Sequence, residues 1–400
     1  MIGVVLVVNA GSSSIRFKLY RVADGAPAAL LSGAMSGIGS RPALDVKDGA
    51  GRVVEQCSFS TKEVPDAAAA QHVLADRLQH LVGEATITAV GHRVVHGGPT
   101  YAEPVLINDA VLRQLEGFIP LAPLHQLRNL DPIRVLRQRR PDLPQVACFD
   151  TAFHRGQPEA SDRFALPRAL YDEGVRRYGF HGLSYEYVSG RLRAIAPEVA
   201  TGRVVIAHLG SGASLCALHD GHPRETTMSF TALDGVPMGT RSGSLDPGAV
   251  LHLIEHKGMS PSEVGHMLYH ESGLLGLSGL SGDVRALLAS NRPEAGLALD
   301  VFCRRVAQAV AALAVTLGGL DALVFTAGIG ENAPPIRERI VAALGWTGLR
   351  LDAEANRAGA ERIDAPESRA EIRIVPTDEE LTIVRHTVRL LARTAPVATA

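Results

Sequence analysis

Lysine is nearly absent from this chain. Lys18, Lys47, Lys62 and Lys257 are the only four in 400 residues, and none follows a glycine. A Walker A loop requires Gly-Lys-Ser/Thr, so the P-loop nucleotide-binding class is excluded. Cysteine is equally scarce. Cys57, Cys148, Cys216 and Cys303 lie far apart with no C-x-x-C pair, which excludes a zinc framework or disulfide scaffold and suits a reducing cytoplasm. A charge surplus is missing too. Lys+Arg is 40 and Asp+Glu is 42, so the formal charge is 40 − 42 = −2, and neither nucleic acid nor an anionic membrane is an expected partner. The most apolar stretch, residues 306–320, holds Gln308 and two glycines and is too short to span a bilayer. Residues 1–10 are apolar but lack a cationic start and a cleavage pattern, and are expected to form a buried first strand rather than a signal peptide.

What is present is globular composition, 46% hydrophobic and 20% charged. The length suits two domains, because single cores rarely grow past roughly 250–300 residues. An internal echo organises the chain. Residues 3–20 read GVVLVVNAGSSSIRFKLY and residues 203–218 read RVVIAHLGSGASLCAL. Each is an apolar run, a Gly/Ser turn and a second run, the pattern of a β-hairpin whose backbone N–H groups can face a ligand. The near-half offset favours duplication over chance. Further strands are expected at residues 88–95, 145–149, 320–326 and 371–375. Helices are expected from the capping box Ser260-Pro261-Ser262-Glu263, over residues 295–317 and 336–344, and from Thr377-Asp378-Glu379-Glu380 through Leu391. Strands alternate with helices, so the class is α/β. The domain boundary is expected near Asp150.

Several motifs carry chemistry, and each has an ordinary structural reading beside it. Residues 323–335, LVFTAGIGENAPP, read as strand, glycine loop and helix start, an anion-binding junction. Gly328-x-Gly330-x-x-Ala333 also fits a dinucleotide fingerprint, with Asp352 as its ribose acid, and that reading competes. GHRVVHGG, residues 91–98, places His92 and His96 four apart, but its β-branched centre favours a strand over a zinc helix. A strand rarely carries an arginine such as Arg93 unless the charge is paired or faces a ligand. The pairs His252/His256 and His266/His270 suit solvated helix faces. MGTRSGSLDP sets Arg241 between glycines, YGFHG sets His181 before one, and FDTAFH puts Asp150 at a strand end. A surface arginine, a satisfied histidine and a capping aspartate would explain each alone. Together they suit phosphoryl transfer, which demands positioning and charge neutralisation.

In combination, NAGSSSIRFKLY, GHRVVHGG, PLAPLH, FDTAFH, RRYGFHG, MGTRSG, FTAGIGEN and the final EEL resemble the acetate kinase family of acetokinases, in order and across nearly the whole chain. The resemblance implies a duplicated ribonuclease-H-like fold of the actin, sugar-kinase and chaperone-ATPase type, with an interdomain active-site cleft. Residues 1–149 with 381–400 would form one domain, and residues 150–380 the nucleotide-binding other. It implies reversible phosphorylation of acetate by ATP to acetyl phosphate and ADP, with magnesium or manganese, in a homodimer. A propionate or other short-chain acyl kinase is the alternative on the same fold. An actin- or chaperone-like ATPase module without that chemistry is a further one.

Residue by residue, the resemblance assigns Asn9 and Glu379 to the metal, and Arg93, Asp150, His181, Arg241 and His125 to catalysis. Arg93 also contacts substrate, and Val95, Leu124, Phe180 and Ala232 line the acyl pocket. The nucleotide falls to Ser12, Ser14 and Arg16 at the first hairpin and to His208, Leu209, Gly210, Ser211 and Gly212 at the second. Asp283, Val284 and Arg285 join them, with Gly328, Ile329, Gly330, Glu331 and Asn332. The chain departs from the commonest family pattern at Arg16 (usually lysine), Ser211 (asparagine), Ser244 (aspartate) and Ala232 (proline). The first three bear on nucleotide and metal affinity, the last on acyl-chain choice. A carboxylate acceptor with a pKa near ~4–5 is ionised at pH 7 and needs no general base. Asp150 is therefore expected to hold magnesium through water and to fix its neighbours.

Overall fold

The computed structural model describes residues 3–11, 14–23, 26–82 and 86–394. It divides into two compact units, Met1–Phe153 with Asp378–Ala400, and His154–Thr377. This division leaves Asp150 and Glu379 in the first unit.

In the first unit, β1 (Val4–Ala10) is central, with Val4 through Val8 all buried, as expected for a strand covered on both faces. It pairs antiparallel with β2 (Ser14–Ala23) and parallel with β6 (Ile87–Val94). Outward from β2 run β3 (Ala26–Ser36), β4 (Ala43–Asp48) and β5 (Val53–Ser58); beyond β6 come β8 (Gln145–Phe149) and the short edge strand β7 (Val105–Leu106). Side chains alternate along β2. Ile15, Phe17 and Leu19 join the core beneath α1 (Ala67–Val82), while Arg16 and Lys18 point to the other face. Helix α2 (Pro123–Arg139) lies beside α1.

The opposite face is covered by the C-terminal helix, Glu379–Thr394, and a missing side chain sets its approach. A Cβ on Gly91 would lie 2.5 Å from Thr387 Oγ1 and 2.6 Å from Ile383 Cγ2. Only glycine lets the helix sit this close to β6, and Arg93, two residues on, shares that face.

The second unit holds β9 (Arg203–Leu209), β10 (Ala213–His219), β11 (His222–Thr226), β12 (Ala322–Thr326) and β13 (Glu371–Ile374), ordered β11-β10-β9-β12-β13. In both units the first strand pairs antiparallel with the second and parallel with the next one inward, so the order β3-β2-β1-β6-β8 recurs. The echoed hairpins are thus the same piece of a repeated topology. The long helix Pro293–Leu317 buries Ala298, Leu299, Phe302, Val306, Val310 and Leu313, a single 3.6-period face. Among the described residues no helix is long and apolar enough to cross a membrane.

Local expectations hold with small shifts. The Ser260 capping box has both its bonds. The helix expected from residue 336 starts at Pro334, with proline in its first turn. One expectation is corrected: no glycine loop follows β12. A helix, Ala327–Asn332, starts at once, with Ala327 at φ 64°, and the Glu331 carboxylate accepts from its N–H at 2.7 Å. The acid of FTAGIGEN caps its own turn, which the glycine pattern does not reveal.

Candidate active site

In the first unit Arg93 is the hub. Its Nε donates to Asp150 Oδ1 at 3.0 Å, its Nη2 to Asp150 Oδ2 at 2.5 Å, and its Nη1 to Asn9 Oδ1 at 3.2 Å. Glu379 Oε2 lies 3.8 Å from Nε. Asp150 is 1% exposed, so losing Arg93 would strand a buried charge at a cost of about 3–5 kcal/mol. Burial works against the charge on Arg93, yet Asp150, Glu379 and Glu380 outweigh it and its pKa is raised. Glu379 is pushed up to about 7, chiefly by burial, with Arg93 opposing and Asp150 and Glu380 adding. The sequence-assigned residues Asn9, Arg93, Asp150 and Glu379 are therefore brought together. Arg16 pairs with Asn9 across the hairpin, and its charge reaches Glu379.

Lys18 was not singled out from the sequence. Its Nζ lies 2.9 Å from Asp378 Oδ1 and 3.4 Å from Glu380 Oε2, so one of the rare lysines clamps the residues on either side of Glu379. Gln126 and Asn129, also missed, are buried on α2. Gln126 bonds the His96 backbone both ways, and Asn129 ties Val95 N–H to the Ala10 carbonyl. Buried amides three apart in PLHQLRNL were the available signal. His125 sits in the first turn of the same helix. Ser12 and the Leu124 side chain lie outside the described residues, while Ser14 opens β2.

The second unit gathers its own set. His181 is the left-handed N-cap (φ 57°) of the helix Gly182–Ile195, and its ring stacks on His208 at 4.2 Å. Its Nδ1 bonds Ser214 Oγ at 2.8 Å, and that hydroxyl also meets Tyr185 Oη at 2.6 Å. Arg241 Nη1 donates to the Ala232 carbonyl at 2.7 Å. A Cβ on Gly212 would lie 2.6 Å from Arg241 Nη2 and 3.3 Å from His181 Nε2. His181, Arg241 and the second hairpin turn thus converge on a space that only glycine leaves open. Phe180 is buried, its carbonyl accepting from His154 Nε2 at 2.8 Å. Burial pushes His154 down to about 4, so it donates as a neutral ring.

The nucleotide-assigned segments cluster here as well. The Ser211 carbonyl accepts from Gly239 N–H, and Gly239 touches Gly282, next to Asp283. Asp283 caps the short helix Val284–Leu288 and pairs with the exposed Arg285. Gly330 packs near the Ala207 carbonyl. Arg337, fully buried and not anticipated, bonds the Gly330 and Glu331 carbonyls and Asn356, fixing that helix end. Ser244 donates to Asp234 at 2.6 Å. Asp352, the ribose acid of the dinucleotide reading, instead caps the helix Ala353–Ala358.

The family model described as "Acetokinase family" matches residues 4–385. The chain belongs to the acetokinase family. An acetate kinase from Nitrobacter hamburgensis is 52% identical over 97% of this chain and 96% of its own length. Among solved acetokinase-like structures, a propionate kinase from Francisella tularensis shares 36% identity at a TM-score of 0.88, covering 97% of this chain and 99% of that one. The Porphyromonas gingivalis acetate kinase shares 34% at 0.84, covering 97% and 100%. Family membership displaces the dinucleotide and non-enzymatic readings.

Proposed function

We propose that this acetokinase transfers the γ-phosphoryl group of ATP directly to acetate, reversibly, giving acetyl phosphate and ADP. The observation that carries the direct, base-free route is the two-point bond between Arg93 and Asp150. Both Asp150 oxygens face the guanidinium, which suits a positioning acid rather than a proton acceptor, and an ionised carboxylate gives up no proton. Arg93 then offers the remaining N–H groups of Nη1 and Nη2 to the acetate anion. Arg241, aimed by the Ala232 carbonyl, and His181, aimed by Ser214, meet the charge that develops on the phosphoryl oxygens.

The oxygen donors Asn9 and Glu379, with Asp150 acting through water, suit magnesium, which when bound would neutralise phosphate charge. Among the described residues no three His, Cys, Asp or Glu side chains converge as a metal cage. Burial pushes Glu379 up, with Asp150 and Glu380 adding, and a bound cation would oppose that shift.

A propionate preference is the second reading, favoured by alanine at position 232. A cytoplasmic homodimer belongs to the same proposal. Exposed Val315 and Trp346 border one apolar groove on the second unit, and light scattering at twice 42.3 kDa would support the dimer. The activity test supplies ATP, magnesium, hydroxylamine and a panel of short acids. Acyl hydroxamate with acetate or propionate is expected, and none with any acid overturns the proposal.

A further inference from the structure

A cavity of about 410 Å³ lies in the core of the first unit, apart from the Arg93 cluster. Its floor is Leu6, Val8 and Ile15 of β1 and β2, on the sheet face opposite Arg16 and Lys18. Leu74 and Leu78 of α1 and Leu136 of α2 form its walls. The cavity opens to solvent at Arg139 and Arg140, and small-molecule pockets have this volume.

The lining also carries one polar side chain that nothing in the fold explains. Gln71 is 6% exposed, and among the described residues neither its Oε1 nor its Nε2 has a hydrogen-bond partner. A buried amide N–H left unsatisfied is costly, and its presence points to a ligand that accepts from it. The cavity rim is cationic. Arg139 lines it and bonds His72, the residue next to Gln71, as well as Asp76. Arg140, exposed at the same rim, has no ion pair among the described residues.

We propose that this cavity binds a medium-chain aliphatic carboxylate. Its chain lies on the leucine and valine walls, its carboxylate accepts from Gln71 Nε2, and the rim arginines attract its charge. Such a molecule differs from the acetate-sized acceptor and occupies a separate place in the fold.

The test is calorimetric titration of the full-length protein with octanoate, with and without saturating acetate. Saturable binding is expected, unaffected by acetate, with 1-octanol at least about tenfold weaker because it lacks the charge. Gln71→Met should weaken octanoate by about tenfold while leaving phosphoryl transfer intact. Leu74→Phe, which narrows the cavity where the chain would lie, should weaken binding. The proposal is overturned by absence of saturable binding to wild type, by competition with acetate, or by equal affinity for octanol. Unchanged affinity in a folded Gln71→Met protein overturns it too. If Leu74→Phe fails to fold, the Gln71→Met and octanol comparisons still decide.

Discussion

Gly212→Ala isolates the arrangement of the second unit. The backbone there is compatible with alanine, since φ lies outside the left-handed region. The new methyl would stand 2.6 Å from Arg241 Nη2, against an ordinary contact of at least 3.4 Å. The guanidinium must therefore retreat by 3.4 − 2.6 = 0.8 Å or more. It is the far end of a flexible chain, so folding is little disturbed, and the lost glycine entropy should even stabilise by ~0.4–1 kcal/mol. Catalysis is less forgiving, because a displacement near 1 Å can cost ~10²-fold. The expected result is kcat down by ~10² with Tm unchanged or slightly raised. The fall should be shared by kcat and kcat/KM, the mark of an interaction made in the transition state. Arg241→Ala should cost more, ~10³. Hydroxamate kinetics and a thermal melt measure both quantities. A kcat within twofold of wild type would refute the reasoning. So would normal kcat with a raised KM for ATP, which would assign Gly212 to nucleotide contact alone.

Three further outcomes are expected. Glu379→Ala should cripple turnover and alter the magnesium requirement, whereas Glu380→Ala, which loosens one of two Lys18 contacts, should cost stability of only about 1 kcal/mol or less; equal effects in a magnesium titration would reduce Glu379 to a helix-end charge. Ala232→Pro should lower the propionate/acetate ratio of kcat/KM, since one methylene is worth ~1–3 kcal/mol in an apolar pocket, and an unchanged ratio would remove position 232 from the pocket. Acidification should destabilise the fold through His92 and His154, both pushed down to about 4 by burial. The unfolded rings take protons near pH 6.5 and the folded ones only near 4, so stability is complete above that window and falls through it, by about 2 kcal/mol per histidine at pH 5. His92→Asn should lessen the loss between pH 7 and pH 5 in denaturant titrations, and an identical slope would contradict the buried-neutral assignment.

The repeated topology was legible because its signal is local. A β-branched run, a Gly/Ser turn and a second run specify a hairpin whatever surrounds it, and both hairpins formed with the expected strands. Strand β8 lies where its apolar run does, from Gln145 to Phe149. The arginine at position 93 was anomalous enough in a strand to predict a partner, and Asp150 is that partner. What the sequence could not show depends on close approach between distant segments. Nothing near Gly91 announces that Ile383 and Thr387 pack against it, nor does the scarcity of lysine reveal that Lys18 braces Asp378 and Glu380. Glycines in FTAGIGEN suggested a loop, but the Glu331 carboxylate closing on Ala327 N–H made a helix there. That bond competes with the loop only once Glu331 is folded back, which propensity does not encode.

The central claim is direct transfer from ATP to acetate by positioned charges, and stereochemistry at phosphorus tests it most directly. The measurement uses ATP made chiral at the γ-phosphorus with oxygen isotopes, magnesium and acetate, and then reads the configuration of the acetyl phosphate formed. A single in-line displacement predicts inversion. Retention would mean a phosphorylated enzyme group and two displacements, contradicting the account.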